Sequence, residues 1–180
     1  MKLARNGYLM ISVVFYIAGV LYMILPEIPP AAVCITSGVV LLVYGVIKMI
    51  GFFSSDLYCL AFQYDLACGL LLLVLGAIVL LCRQSVLPYL SPGLGMLILV
   101  DNFLAMQMSY DAKKFGLETW CPILIIAVIT SCFAILLIVK LCPGVLSSHL
   151  VAGLALLSEG LKNQCVVLYT VKIIQDFQPK

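Results

Sequence analysis

The chain has 180 residues, of which 64% are hydrophobic and 10% are charged, and its formal net charge is +2. Soluble domains average about 45–50% apolar and about 25% charged residues, so a soluble protein of this composition would lack the polar groups to cover its surface. The composition excludes an ordinary soluble domain and indicates an integral membrane protein whose partner is the lipid bilayer. The small net charge does not favour a nucleic-acid partner.

Six apolar runs predict an all-α, polytopic membrane protein with six transmembrane helices in a single domain, residues 1–180. The runs cover about residues 8–25, 32–53, 62–82, 92–109, 121–140 and 146–169. Most of them reach the roughly 17–25 residues that a spanning helix needs; the fourth is slightly short, and an alternative start for it lies near Pro88. Spanning β-strands would instead alternate apolar and polar residues over about ten positions, which these runs do not.

The first and last runs each leave an alternative. The first has a basic start at Lys2 and Arg5, as a signal peptide does, but it exceeds the usual apolar region of about 7–15 residues. It ends at Pro26 without a small-residue cleavage site, so we predict a retained helix. The sixth run contains the polar stretch LLSEGLKNQ, where an alternative is a break near Ser158 followed by an interfacial amphipathic helix.

The distribution of lysine and arginine predicts the orientation. With the N-terminus in the cytoplasm, only Arg83 and Lys140 lie towards the outer side. The residues on or towards the inner side are Lys2, Arg5, Lys48, Lys113, Lys114, Lys162, Lys172 and Lys180. This positive-inside bias predicts that both termini are cytoplasmic. His149 then lies at the outer end of the sixth span, where a solvated side chain is favoured over a pH switch.

The cysteines form no recognisable chemical motif. They are Cys34, Cys59, Cys68, Cys82, Cys121, Cys132, Cys142 and Cys165. None forms a C-x-x-C pair or has zinc-finger spacing with histidine, so we predict no metal site and disfavour a thiol oxidoreductase. Most lie in apolar runs, where cysteine acts as a small hydrophobe. A bridge between Cys82 and Cys142, at the ends of two runs on the same predicted side, stays open.

Small residues recur along the chain with an offset of 57 residues and then 58. In the odd-numbered spans they are Ser12 and Gly19, Gly69 and Gly76, and Ala127 and Ala134. In the even-numbered spans they are Gly38 and Gly45, Gly95 and Asn102, and Gly153 and Gly160. Members of a pair are seven residues apart, close to two helical turns, and so share a helix face. Such faces let helices approach closely in lipid, a role favoured over ligand binding.

The offset predicts three tandem helical hairpins as internal repeats, at about residues 7–55, 62–111 and 120–171. Prolines follow each odd-numbered span: Pro26, Pro29 and Pro30, then Pro88 and Pro92, then Pro143. In these hairpins, glycines and prolines the chain resembles the HdeD-like acid-resistance membrane proteins of bacteria, over about residues 7–170. The resemblance implies a six-helix protein of the bacterial inner (plasma) membrane associated with acid stress. It carries over no active site, and Asn102 departs from the repeat.

The repeat also aligns polar residues of the even-numbered spans at two levels, four residues apart on one helix face. The first level is Tyr44, Asp101 and Glu159, and the second is Lys48, Ala105 and Asn163, with Lys162 beside them. Packing around a pseudo-threefold axis would bring these faces together, and two acids and two lysines would form a neutral intramembrane cluster. Its predicted members are Tyr44, Lys48, Asp101, Asn102, Glu159, Lys162 and Asn163. Unpaired, the four charges would cost on the order of 10 kcal/mol on insertion scales.

Two functions of this cluster stay open. The favoured one is an ion-pair network that fixes the packing of the helices, and the other is a set of residues that sense or conduct protons. Asp65 starts the third span, where capping the helix is favoured over a proton site.

With no nucleophile or nucleotide-binding motif, we predict no catalytic residue and no cofactor. The leading hypothesis is a non-enzymatic, HdeD-like protein of acid or envelope stress, and a homo-oligomer is possible. The alternative is a small proton- or solute-conducting transporter or channel that uses Asp101, Glu159, Lys48 and Lys162.

Overall fold

A computed structural model describes residues 2–25, 29–53, 65–114, 120–139 and 148–176. These residues form α1 (Lys2–Ile24), α2 (Pro30–Phe53), α3 (Asp65–Leu81), α4 (Arg83–Val86), α5 (Leu90–Lys114), α6 (Trp120–Val139) and α7 (Ser148–Asp176). A 3-10 turn, Leu87–Tyr89, joins the short α4 to α5. No strand lies in this described part of the chain, and the all-α fold class is confirmed.

Within the described residues, five helical segments are long and apolar enough to cross a membrane. They are Asn6–Ile24, Ala31–Phe53, Arg83–Lys114, Trp120–Val139 and Leu150–Leu168. The third predicted span, α3, has 17 residues and lies at the lower limit of length for a span. The outward faces of these helices carry exposed leucine, valine and isoleucine side chains, as expected of helices that face lipid. The helices indicate a membrane protein.

The fourth predicted span begins earlier than its apolar run. The helical segment starts at Arg83, and Pro92 lies in the first turn of α5, where a proline removes no helical hydrogen bond. The sixth predicted span, α7, is one continuous helix, so the alternative of a break near Ser158 is wrong. The polar residues after Ser158 do not need an aqueous interface because three of them, Glu159, Lys162 and Asn163, are buried inside the bundle.

The small residues join the long helices in three close pairs, and the pair of α2 with α3 shows the geometry. A Cβ added at Gly45 would lie 2.9 Å from the carbonyl oxygen of Gly69, and one added at Gly69 would lie 3.0 Å from that of Gly45. Seven residues away, a Cβ at Gly76 would lie 3.1 Å from the carbonyl oxygen of Gly38. The two backbones therefore cross with no room for a side chain between them.

The other two pairs are α1 with α7 and α5 with α6. A Cβ at Gly19 would lie 2.9 Å from the carbonyl oxygen of Gly153, and one at Gly160 would lie 3.1 Å from that of Ser12. In α5, a Cβ at Gly95 would lie 3.0 Å from the carbonyl oxygen of Ala134. We call each row of these small residues along a helix face a stripe. The remaining stripe residues, Ala127 and Asn102, are both fully buried.

The observed helix pairs differ from the hairpins that the sequence repeat predicts. Each stripe joins an even-numbered predicted span to the next odd-numbered one, and the last span, α7, closes back on the first, α1. The hairpins within the sequence repeats, such as α1 with α2, are not the units of closest packing. The offset alone could not decide this, because a stripe of small residues marks a packing face without naming the helix that faces it.

The three helix pairs surround a common interior. One apolar cluster in it draws side chains from five helices, including Ile11 of α1, Leu41 of α2 and Leu72 of α3. The rings of Phe15 and Tyr44 meet edge to face, with centroids 5.4 Å apart. Beside these apolar residues the interior holds charged side chains, which form the candidate site.

Candidate functional site: a buried acid–base cluster

Nine polar side chains from five helices meet in the interior, and we call them the acid–base cluster. Its members are Tyr8 of α1, Tyr44 and Lys48 of α2, Asp65 of α3, Asp101 and Asn102 of α5, and Glu159, Lys162 and Asn163 of α7. Lys162 is 2% exposed and Glu159 is 1% exposed, so the charges are withdrawn from solvent. The structure therefore brings together all seven residues of the sequence-predicted cluster and adds Tyr8 and Asp65.

Asp101 lies between the two lysines. Lys48 Nζ is 2.7 Å from Asp101 Oδ1, and Lys162 Nζ donates to Asp101 Oδ2. Tyr44 Oη is 3.2 Å from that same Oδ2 and 3.2 Å from Asn163 Oδ1. One carboxylate thus receives donors from α2 and from α7, and it ties both helices to α5.

Asp65 extends the cluster to α3. Lys48 Nζ is 3.0 Å from Asp65 Oδ1, and Tyr8 Oη donates to Asp65 Oδ2. Asp65 lies in the first turn of α3, as the capping prediction requires, and its carboxylate is also buried and paired with Lys48, a partner that the prediction did not include. A signal was present in the sequence, because Tyr8 and Asp65 are separated by 57 residues, the offset that also relates Tyr44 to Asp101.

Glu159 forms the other end of the cluster. Lys162 Nζ lies 2.6 Å from Glu159 Oε1, one helical turn along α7. Asn102 Nδ2 donates to Glu159 Oε2 at 3.3 Å and to the carbonyl oxygen of Ile98 at 2.7 Å. This explains why a larger residue replaces the expected small one in the stripe of α5. Two buried amide atoms, Asn102 Oδ1 and Asn163 Nδ2, have no hydrogen-bond partner among the described residues.

Among the described side chains, the charges of the cluster do not balance when every group is ionised. Asp65, Asp101 and Glu159 supply three negative charges, and Lys48 and Lys162 supply two positive charges. The predicted neutral set of two acids and two lysines is therefore incomplete. An uncompensated buried charge is expensive, so the excess negative charge needs a proton or another cation.

Two cavities flank the cluster and share Asp101 and Cys68 as lining residues. The large cavity has a volume of about 380 Å³, and Tyr44, Asp101 and Glu159 are its charged or strongly polar cluster residues. The small cavity has a volume of about 40 Å³, room for about one water molecule, and both lysines line it. Asp101 therefore faces both spaces, Glu159 lines only the large cavity, and Asp65 and both lysines line only the small one.

Other candidate residues are not brought to the cluster or lie outside the described residues. Within the part of the chain that the structure describes, the cysteines form no disulfide with one another; they are Cys34, Cys68, Cys82, Cys121, Cys132 and Cys165. Cys142 lies outside the described residues, so the structure does not describe a bridge with Cys82. The side chain of His149 also lies outside them. Among the described residues, no three His, Cys, Asp or Glu side chains are grouped to hold a metal ion.

Comparison with known proteins gives one match. Residues 10–81, from α1 to the end of α3, match a family described as a short repeat of unknown function (DUF308). The matched segment contains the α2/α3 glycine pair, Lys48 and Asp65. No curated protein and no solved structure matches the chain. The match agrees with a repeat-containing membrane protein and identifies no activity.

Proposed function

We propose that this is a non-enzymatic, six-span membrane protein of the HdeD-like type that acts in acid or envelope stress. The DUF308 repeat is the family typically found in HdeD-like membrane proteins, and it matches residues 10–81. The apolar helices support a membrane location, here the bacterial inner membrane, and the distribution of lysine and arginine supports cytoplasmic termini.

The observation that carries the proposal is the buried cluster of three acids and two lysines. A proton that binds a carboxylate there removes a negative charge and weakens its attraction for lysine. Because Asp101 links α2, α5 and α7, protonation within the cluster changes the forces that hold these helices together. Proton binding is thereby coupled to helix packing, as a protein that responds to acid requires.

A second candidate function is a small proton- or solute-conducting transporter or channel. The observation that favours it is the position of Asp101, which lines both the large and the small cavity. A proton or polar solute would pass from one cavity to the other beside Asp101, with Glu159, Lys48 and Lys162 as neighbouring groups. Ionisable residues within a membrane are commonly found along such pathways.

Liposome flux and stability measurements distinguish the two functions. The full chain, Asp101→Asn and Glu159→Gln are reconstituted with a pH-sensitive dye inside the vesicles, and thermal unfolding is measured in parallel. Asp111→Asn is the matched control, because Asp111 lies on the same helix in a solvent-accessible pair with Lys114, 3.4 Å away.

Transport would be supported if the native protein carries protons into the vesicles, as the dye reports, and if Asp101→Asn abolishes this flux while Asp111→Asn does not. A proton-responsive stress protein would be supported if the native protein carries no flux and the cluster variants lower both the thermal stability of the protein and the survival of acid by cells that express it. Cluster variants that retain acid survival and show no altered flux would contradict both functions.

A further inference from the structure

The large cavity combines an apolar wall with an acidic floor. Its wall is formed mainly by leucine, isoleucine and valine side chains, including Leu41, Leu72 and Leu94. Asp101 and Glu159 close one end of it. Its volume of about 380 Å³ falls in the range of about 300–1,000 Å³ that is typical of small-molecule sites.

We propose that this cavity binds a hydrophobic amine, with the apolar body against the leucine wall and the ammonium group against Asp101 and Glu159. The charge of the floor selects the head group, because the described residues that line the large cavity include two carboxylates and no lysine or arginine. Both cluster lysines line the small cavity instead. An ammonium group also supplies the one positive charge that the cluster lacks.

The cavity wall selects an apolar body. Thr36 is one of its few hydroxyl-bearing residues, and its Oγ1 already donates to the carbonyl oxygen of Ala32 at 2.8 Å. A neutral hydrocarbon would fill this wall but leave the net negative charge of the cluster unchanged, and an anion would be repelled by the carboxylates. An amine with an aryl or alkyl body satisfies both ends.

The cavity is also accessible from the side of the helix bundle. Leu71 of α3 and Val100 of α5 line it, and both side chains are exposed on the surface of the chain. A ligand dissolved in the bilayer can therefore enter between α3 and α5. Hydrophobic amines partition into bilayers, so the route suits the proposed ligand class.

The test compares two ligands of nearly the same shape, 4-phenylbutylamine and 4-phenylbutanol. Their saturable binding to the full chain in lipid nanodiscs is measured by equilibrium dialysis, with empty nanodiscs subtracting partition into lipid. We expect the amine to bind at least about tenfold more tightly, since only the ammonium group brings a positive charge to the carboxylates of the floor.

Three variants locate the site. Glu159→Gln removes one floor carboxylate and is expected to reduce the preference for the amine. Leu94→Trp fills the wall away from the cluster and is expected to abolish saturable binding of both ligands. Met96→Trp is the matched control, because Met96 lies on the same helix, is exposed and does not line the cavity; it should bind as the native chain does.

Equal affinities for the two ligands in the native chain, or no saturable binding of the amine, would overturn the proposal. Unchanged binding in Leu94→Trp would overturn it as well, and this outcome does not depend on the stability of a cluster variant. The measurement uses neither a pH gradient nor acid stress. Its failure would therefore leave the flux and survival results for the proposed function intact.

Discussion

Lys48 of α2 and Asp65 of α3 form a buried ion pair, with Nζ 3.0 Å from Oδ1. The same lysine lies 2.7 Å from Asp101 of α5, so a single ammonium group joins three helices. The glycines of α2 and α3 bring the two backbones into contact a short distance along the same helices. Close backbone packing and the ion pair therefore support each other at this junction.

Replacing Lys48 by methionine should lower the free energy of unfolding by about 3–5 kcal/mol, because Asp65 and Asp101 would keep their burial and lose their partner. Asp65→Asn should also destabilise, and the double variant should lose less than the sum of the two single losses. Denaturant unfolding in detergent, followed by the fluorescence of Trp120, measures these values. Strict additivity would contradict the pair.

The control for this cycle is the exposed pair of Lys114 with Asp111, 3.4 Å apart. Lys114→Met removes the same kind of charge from α5, but its side chain is 60% exposed. Exposed ion pairs contribute about 0–1 kcal/mol, so the unfolding free energy should change little.

The backbone contact between α2 and α3 should tolerate no side chain. Gly45→Ala places a methyl group 2.9 Å from the carbonyl oxygen of Gly69, so helices must move apart and the protein should lose about 1–3 kcal/mol. Gly93→Ala is the matched control, because a Cβ at Gly93 would meet nothing within 4 Å. It should be neutral or stabilise by up to about 1 kcal/mol through helix propensity. Thermal unfolding that ranked the two variants in the opposite order would contradict the helix pairing.

The sequence predicted helix positions and the polar members of the even-numbered spans because both follow from periodicity along one chain. It did not predict that α2 packs most closely with α3, since a stripe of small residues does not identify its partner. The pairing of Asp65 with Lys48 was not predicted either, for a related reason. A carboxylate in the first turn of a helix already has a local explanation, and only the fold shows that Lys48 lies across from it.

Tyr44 should stabilise the cluster through its hydroxyl group, which lies 3.2 Å from Asp101 Oδ2. Tyr44→Phe keeps the ring that packs edge to face on Phe15 and removes only this donor. The loss should be about 1.5–3 kcal/mol, the contribution of a hydrogen bond to a charged group. Tyr110→Phe is the control, since Tyr110 is exposed on α5. Equal unfolding midpoints for the two variants would show that the Tyr44 hydroxyl contributes nothing.

The charge balance predicts a protonated carboxyl group inside the protein at neutral pH. Three acids face two lysines, so one bound proton makes the acid–base cluster neutral, and we expect one carboxylic-acid carbonyl band in the infrared spectrum. Asp65→Asn leaves two acids with two lysines and should remove the band. Lys48→Met leaves three acids with one lysine and should increase it.

The carboxylate of Asp111, whose side chain is 30% exposed, provides the control for this measurement, and Asp111→Asn should leave the band unchanged. An Asp65→Asn spectrum identical to that of the native chain would show that the excess charge is balanced elsewhere. The opposite changes expected for Asp65→Asn and Lys48→Met are decisive, because a general loss of structure would alter both spectra in the same direction. Only a count of charges within one closed cluster predicts that removing an acid and removing a base have opposite effects on bound protons.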